Sequence, residues 1–262
     1  MLMSVFFFMG ALNLAGCAVD TSFGNSTWPL PVFQPSHRAH RVRRYSPKES
    51  NYFNEEEKAT ILKRHNDLRK TRGSSNMIKL EWSDEVAHSA FKHAENCDFQ
   101  HSSNEMRSNV AGYKRVGENL HVRNEDSIED IGIVIDAFNA EEPDWDFDSM
   151  RCLGAMCGHY TQVVWPKTEV VGCAAKWCEN TLRSVPDYTS GSLYVCQYGP
   201  MGNINLQTTP IYKKGPACSE CPENFPHCND QMCSKVAGPS GAIRVSHSTA
   251  LVLGVLLGRF LL

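Results

Sequence analysis

The run Cys157-Gly158-His159-Tyr160-Thr161-Gln162-Val163-Val164-Trp165 sets a histidine between a glycine and two hydroxyl-bearing residues. An apolar run follows at once and Pro166 closes it. A lone imidazole in such a setting reads first as a core or capping side chain. This one is not alone. Upstream lie Cys97-Asp98-Phe99-Gln100-His101, then Gly117-Glu118-Asn119, then a helical stripe that runs on to Glu141. Downstream lies Leu193-Tyr194-Val195-Cys196-Gln197-Tyr198-Gly199-Pro200-Met201-Gly202-Asn203. Periodicity does not decide between a short helix and a strand for 158–165.

A chain of 262 residues allows one or two domains. Its hydrophobic share of 42% and charged share of 21% are ordinary for a globular core. A net charge of −3 gives no reason to expect a nucleic-acid partner. Of eleven cysteines, Cys17 falls in an apolar leader, which leaves ten from Cys97 onward. An even set of ten in an extracellular chain reads as five disulfides.

The leader over 1–18 has the apolar core and small residues of a cleaved secretory signal, and it is too short to span a bilayer. The usual positive n-region of such a signal is missing, and Leu14-Ala15-Gly16-Cys17 also passes for a bacterial lipoprotein site. Residues 19–52 are polar, proline-bearing and aperiodic, which predicts a disordered or pro-like segment. Asn25-Ser26-Thr27 within it is a glycosylation sequon that argues against a bacterial source. Arg41-Val42-Arg43-Arg44 reads either as a basic processing site or as a solvated linker.

The folded part is expected to begin at Asn54, which forms an N-cap with Glu57 as its reciprocal partner. Ile61, Leu62, His65 and Leu68 follow at helical spacing, and His65 on that stripe reads as structural. A second helix should start after Ser83, with Val86, Ala87, Ala90, Phe91, Ala94 and Cys97 on one face. A third, capped near Ser127, carries Ile128, Ile131, Val134, Ile135 and Phe138. Glu141 extends its buried stripe at the end where the helix dipole disfavours an anion, so that carboxylate needs a partner. Val170–Trp177 and Ser192–Tyr198 read as strands.

Taken in order and spacing, these strings resemble the CAP superfamily of cysteine-rich secretory, antigen 5 and pathogenesis-related proteins. The likeness is greatest to animal members of the peptidase-inhibitor-16 and glioma-pathogenesis-related type, and it covers about residues 53–233. It implies an α+β fold: an α–β–α sandwich with a small antiparallel sheet between helices, disulfide-stapled and followed by a cysteine-rich hinge. In these terms 53–205 is the CAP domain and 206–233 the hinge. It favours a short helix at Gly158–Trp165. It implies the pairs Cys97–Cys178, Cys173–Cys196, Cys152–Cys157, Cys218–Cys228 and Cys221–Cys233. The hinge spacing Cys-x2-Cys-x6-Cys-x4-Cys would suit zinc in a cytosolic protein, and two disulfides in a secreted one.

The resemblance also carries a cleft tetrad onto His101, Glu118, Glu141 and His159. Two imidazoles and two carboxylates suit a reversibly bound divalent metal such as zinc. Alternatively each glutamate holds one histidine by hydrogen bond and no metal is needed. Glu142 rivals Glu141, because the family's aromatic pair before that glutamate is absent here. No Gly-x-Ser-x-Gly or His-Glu-x-x-His string occurs. The expected role is therefore non-enzymatic binding of a lipid, sterol or extracellular protein. The alternative is a metal-assisted, protease-like hydrolase. Residues 234–249 are small and polar and 250–262 apolar except Arg259. With Ser240 as candidate attachment residue, they read as a glycosylphosphatidylinositol signal, the alternative being an uncleaved tail.

Overall fold

The structure is a computed structural model, and it describes residues 44–238 apart from Tyr188, Gln207 and Thr209. The leader over 1–18, Asn25, the first three residues of the 41–44 basic run, Ser240 and the apolar tail lie outside the described residues. No described helix is long and apolar enough to cross a membrane.

Helix α1 (Glu55–Lys70) starts where local chemistry puts it. Asn54 Oδ1 accepts the Glu57 N–H at 3.0 Å, and Glu57 Oε2 accepts the Asn54 N–H at 2.8 Å. After β1 (Glu81–Trp82), helix α2 (Asp84–Ala94) is capped by Ser83, whose hydroxyl accepts the Val86 N–H. A hairpin of β2 (Ser108–Val110) and β3 (Tyr113–Arg115) leads into β4 (Gly117–Arg123). Helix α3 (Gly132–Asn139) is followed by a second small hairpin, β5 (Trp145–Asp146) and β6 (Arg151–Cys152), and by α4 (Gly158–Val163). The long strands β7 (Val170–Cys178) and β8 (Gly191–Gly199) complete the sheet, and β9 (His227–Asn229) with β10 (Met232–Ser234) close the described chain.

The sheet order is β1-β7-β8-β4. Its three longer strands are antiparallel, whereas the two-residue β1 joins the edge of β7 in parallel. Side chains alternate across a strand, and here the alternation sorts the core into two layers. Leu120, Ala174, Leu193 and Val195 pack with Ala90 and Ala94 of α2. Val171, Cys173, Tyr194, Cys196 and Tyr198 pack with Ile61, Ile135, Phe138, Tyr160 and Val163 from α1, α3 and α4. The fold is thus an α+β sandwich of three layers. Gly172 allows the closest approach between α2 and the sheet, because a Cβ there would lie 2.2 Å from the Ala87 backbone nitrogen.

Two expectations fail at element ends. The third helix starts at Gly132, not near Ser127. Ile128 commits its N–H and C=O to Tyr45 in an antiparallel bridge, at 2.8 Å each way, and so cannot enter the helix. Asp130 then accepts the Gly132 N–H. The same bridge changes the N-terminal side: Tyr45 and Phe53 are buried, so the packed chain begins before Asn54 and the segment expected to be disordered is structured from 44.

The His-Asn-x-x-Arg face of α1 organises the interior. His65 is buried between the Ile61 carbonyl and the Tyr198 hydroxyl, at 2.9 and 3.0 Å. Asn66 bonds both backbone groups of Leu80. Arg69, wholly buried, donates to the carbonyls of Ile78, Val163, Trp165, Pro166 and Thr168. It thereby holds the chain that leaves α4. The structure joins the same five cysteine pairs that the resemblance implies. The cysteine-rich segment is docked on the α1–β1 connection: the Cys233 N–H donates to the Met77 carbonyl and its carbonyl accepts the Lys79 N–H.

Candidate functional site

The four tetrad residues form two His–Glu pairs. Glu118 lies second in β4, directly opposite Gln197 of β8. Its carboxylate accepts four hydrogen bonds: His101 Nδ1 at 3.0 Å, Ser102 N–H at 2.8 Å, Ser102 Oγ at 2.7 Å and Gln197 Nε2 at 2.9 Å. Burial acts to raise its pKa, but the hydrogen bonds from His101, Ser102 and Gln197 win and hold it at about 2. Glu141 lies just beyond the end of α3 and turns to the start of α4. It accepts the N–H groups of His159 and Tyr160, at 2.9 and 3.2 Å, and His159 Nδ1 at 2.6 Å. Burial raises its pKa, and the His159 contact with the two backbone N–H groups more than offsets this, so its pKa is lowered. The helix dipole that disfavours Glu141 on its own helix favours it at the head of the next. Glu142 is the wrong candidate for this role: it pairs with Arg72 and accepts from Asn139 Nδ2.

The pairs come from different layers. Glu118 points with Leu120 to the α2 side of β4. Asn119, the next residue, points to the other side and donates to the His159 carbonyl at 3.1 Å. No three of the four present ligating atoms within 4.8 Å of one another; among the described residues only the sulfurs of Cys218, Cys221 and Cys233 do so, and all three are in disulfides. Each tetrad ring spends Nδ1 on its glutamate, and neither Nε2 has a protein partner among the described residues. The His101 side chain is 54% exposed and that of His159 is 18% exposed.

Three further residues take part, of which sequence offers only Ser102, as the hydroxyl adjacent to His101. Ser102 adjoins His101, and its hydroxyl goes to Glu118 rather than to an imidazole. Gln197 is found only through the β4–β8 register. His121, on the same face of β4 as Asn119, packs edge-on to Phe138, whose ring also lies 5.2 Å from that of His159. Burial, then the charges of Arg123 and His159, push the pKa of His121 down to about 4.

These shifts fix the acid response. A histidine held neutral by burial costs stability once the unfolded chain protonates. His65, lowered to about 4 chiefly by burial, and His121 therefore remove stability as pH falls from about 6.5 toward 4. Glu118 contributes stability above its ordinary range near 4.5, and that contribution is lost as pH falls toward 2. Its depressed pKa corresponds to about 3 kcal/mol. Denaturant titrations from pH 8 to 2 are expected to show two successive losses, the second absent in Glu118→Gln. A flat profile between pH 6.5 and 4 would contradict the assignment of the buried histidines.

The chain matches the family model described as "CAP: Cysteine-rich secretory protein family" over residues 62–198. A three-layer sandwich with a paired His–Glu edge is what that family model meets here, and the chain belongs to the family. It is 34% identical to peptidase inhibitor 16 of Bos taurus over 201 residues, covering 75% of this chain and 40% of that protein. It is 37% identical to cysteine-rich secretory protein 2 of Cavia porcellus over 178 residues, covering 66% and 67%. The chain thus spans less than half the length of the peptidase inhibitor 16 proteins it matches. Among solved structures, Na-ASP-1 aligns with TM-score 0.58 at 25% identity, over 71% of this chain and 49% of that one. NaASP2, solved with Zn2+, shares the fold at TM-score 0.55 and 24% identity, over 71% and 98%.

Proposed function

We propose that this is a secreted or cell-surface protein that acts by binding, with no catalytic turnover, and that its two His–Glu pairs take up a divalent cation such as zinc reversibly. The observation that carries the cation reading is the disposition of the rings. A carboxylate on Nδ1 fixes the tautomer and leaves Nε2 as the free ligand atom, the arrangement found behind histidines that hold metals. His101, Ser102, Gln197 and Glu118 orient one ring; Glu141 and the head of α4 orient the other. Histidines on two layers and glutamates already saturated with donors suit an exchangeable ion better than a structural one. In calorimetry with zinc chloride, His159→Ala is expected to lose at least about tenfold in affinity, about 1.4 kcal/mol, with its circular dichroism unchanged. Equal zinc uptake by mutant and wild type would sink this reading.

The partner is a lipid or sterol, or an extracellular protein, as membership of the family supports. Sterol carriage, where present, is independent of the pairs, so a His101→Ala protein keeps it. A hydrolase is disfavoured by Ser102, whose hydroxyl donates to a carboxylate and has no imidazole to take its proton. What supports surface attachment is the pattern of small and polar residues over 234–249 followed by an apolar run over 250–262. Expressed in animal cells, the full chain should leave the surface on treatment with phosphatidylinositol-specific phospholipase C. Spontaneous release still carrying Leu262 would exclude the anchor.

A further inference from the structure

We propose that the Arg44–Tyr45 peptide bond is a processing site, cut by a secretory-route endoprotease that recognises clustered arginines, so that Tyr45 heads the mature protein. The proposal rests on the secretory reading above. Sequence supplies the recognition element: Arg41, Arg43 and Arg44 all lie within four residues on the N-terminal side of the bond.

The structure supplies an independent observation: among the described residues, which start at Arg44, an exposed side chain gives way to a buried and anchored one across this bond. The Arg44 side chain is 59% exposed and its contact is the Glu129 carboxylate at 2.7 Å. Tyr45, one residue on, is 4% exposed. Its N–H donates to the Ile128 carbonyl and its carbonyl accepts the Ile128 N–H. Its ring lies 4.6 Å from that of Phe53, and its hydroxyl donates to the Ser50 carbonyl. Ser46 then donates to the Asp126 carbonyl. Every one of these anchors except the Arg44–Glu129 pair lies on the C-terminal side of the bond.

The new terminus is also provided for. Hydrolysis adds one water across the amide, leaving a carboxylate on Arg44 and an ammonium on Tyr45. Arg44 departs with the upstream segment, and Glu129 loses its guanidinium. The Tyr45 nitrogen keeps a hydrogen for the Ile128 carbonyl and now carries the positive charge beside the loop that bears Glu125, Asp126 and Glu129. One cation replaces another against the same acidic loop. Because Tyr45 is seated in the bridge, the cut precedes its docking or follows a local release of the segment.

The test uses the full chain expressed in animal cells, with protein from the medium and the cell surface deglycosylated and its N-terminus read by intact mass and terminal labelling. Wild type is expected to begin at Tyr45. Arg44→Ala, or wild type made with an inhibitor of arginine-specific processing proteases, is expected to retain upstream residues. Arg41→Ala serves as a second variant should Arg44→Ala fail to be exported. An exported wild type that begins upstream of Tyr45, or a Tyr45 start that persists in both variants, overturns the proposal while leaving the secretory reading intact. A chain that never leaves the cytosol overturns both.

Discussion

Arg69→Leu is expected to lose more than about 4 kcal/mol of unfolding free energy, enough to stop the protein from being exported in folded form. Five carbonyls converge on this guanidinium; those of Trp165 and Pro166 also accept the Thr168 and Ile78 N–H groups, and each of the other three left buried without a donor costs about 1–3 kcal/mol. Among the described residues no carboxylate pairs with it, so the effect concerns backbone satisfaction and not an ion pair. Burial lowers its pKa to about 9, which still leaves it charged at neutral pH. Arg69→Lys is expected to fail nearly as badly, because one ammonium cannot fan its donors as the planar fork does. Lys63→Ala, on the exposed face of the same helix, should shift stability by no more than about 0.5 kcal/mol. Denaturant midpoints of the three variants decide the matter, and a near-native midpoint for Arg69→Leu would refute the role given to the cage.

The second large effect is that of the Cys97–Cys178 bridge, which ties the chain three residues beyond α2 to the end of β7 across a separation of 81 residues. In the chain-entropy model its removal costs about 4 kcal/mol, against about 2 kcal/mol for Cys152–Cys157 with a separation of 5. Double serine variants are expected to melt in that order, the first about 10 °C below wild type. The reverse order would mean that local strain outweighs loop closure.

How much of this was legible in the chain depends on how local the cause is. The α1 cap, the buried His65 and the Ser83 cap are written within a few residues, and sequence finds them. The start of α3 is not, because the competitor for Ile128 is Tyr45, more than eighty residues upstream, and nothing in the helical stripe announces it. The resemblance named the four tetrad residues, and spacing favoured Glu141 over Glu142. Which of them touch was not legible, since that depends on which side of β4 each residue faces. Gln197 and His121 stayed hidden for the same reason: one needs the strand register, the other a neighbouring ring.

The alternation of Glu118 and Asn119 has a mechanical corollary. One imidazole is fastened to the α2 layer and the other to the α4 layer, at the β4 edge of the sheet, where no further strand pairs with β4 among the described residues. Their separation is therefore a gauge of how the two layers sit, and an ion gripping both rings would act as a rivet through the rim. Breathing of the rim and release of the ion would then be one motion. Amide exchange along β4 should slow when zinc is added, and a mutation that loosens either layer should make the ion leave faster without touching a ligand.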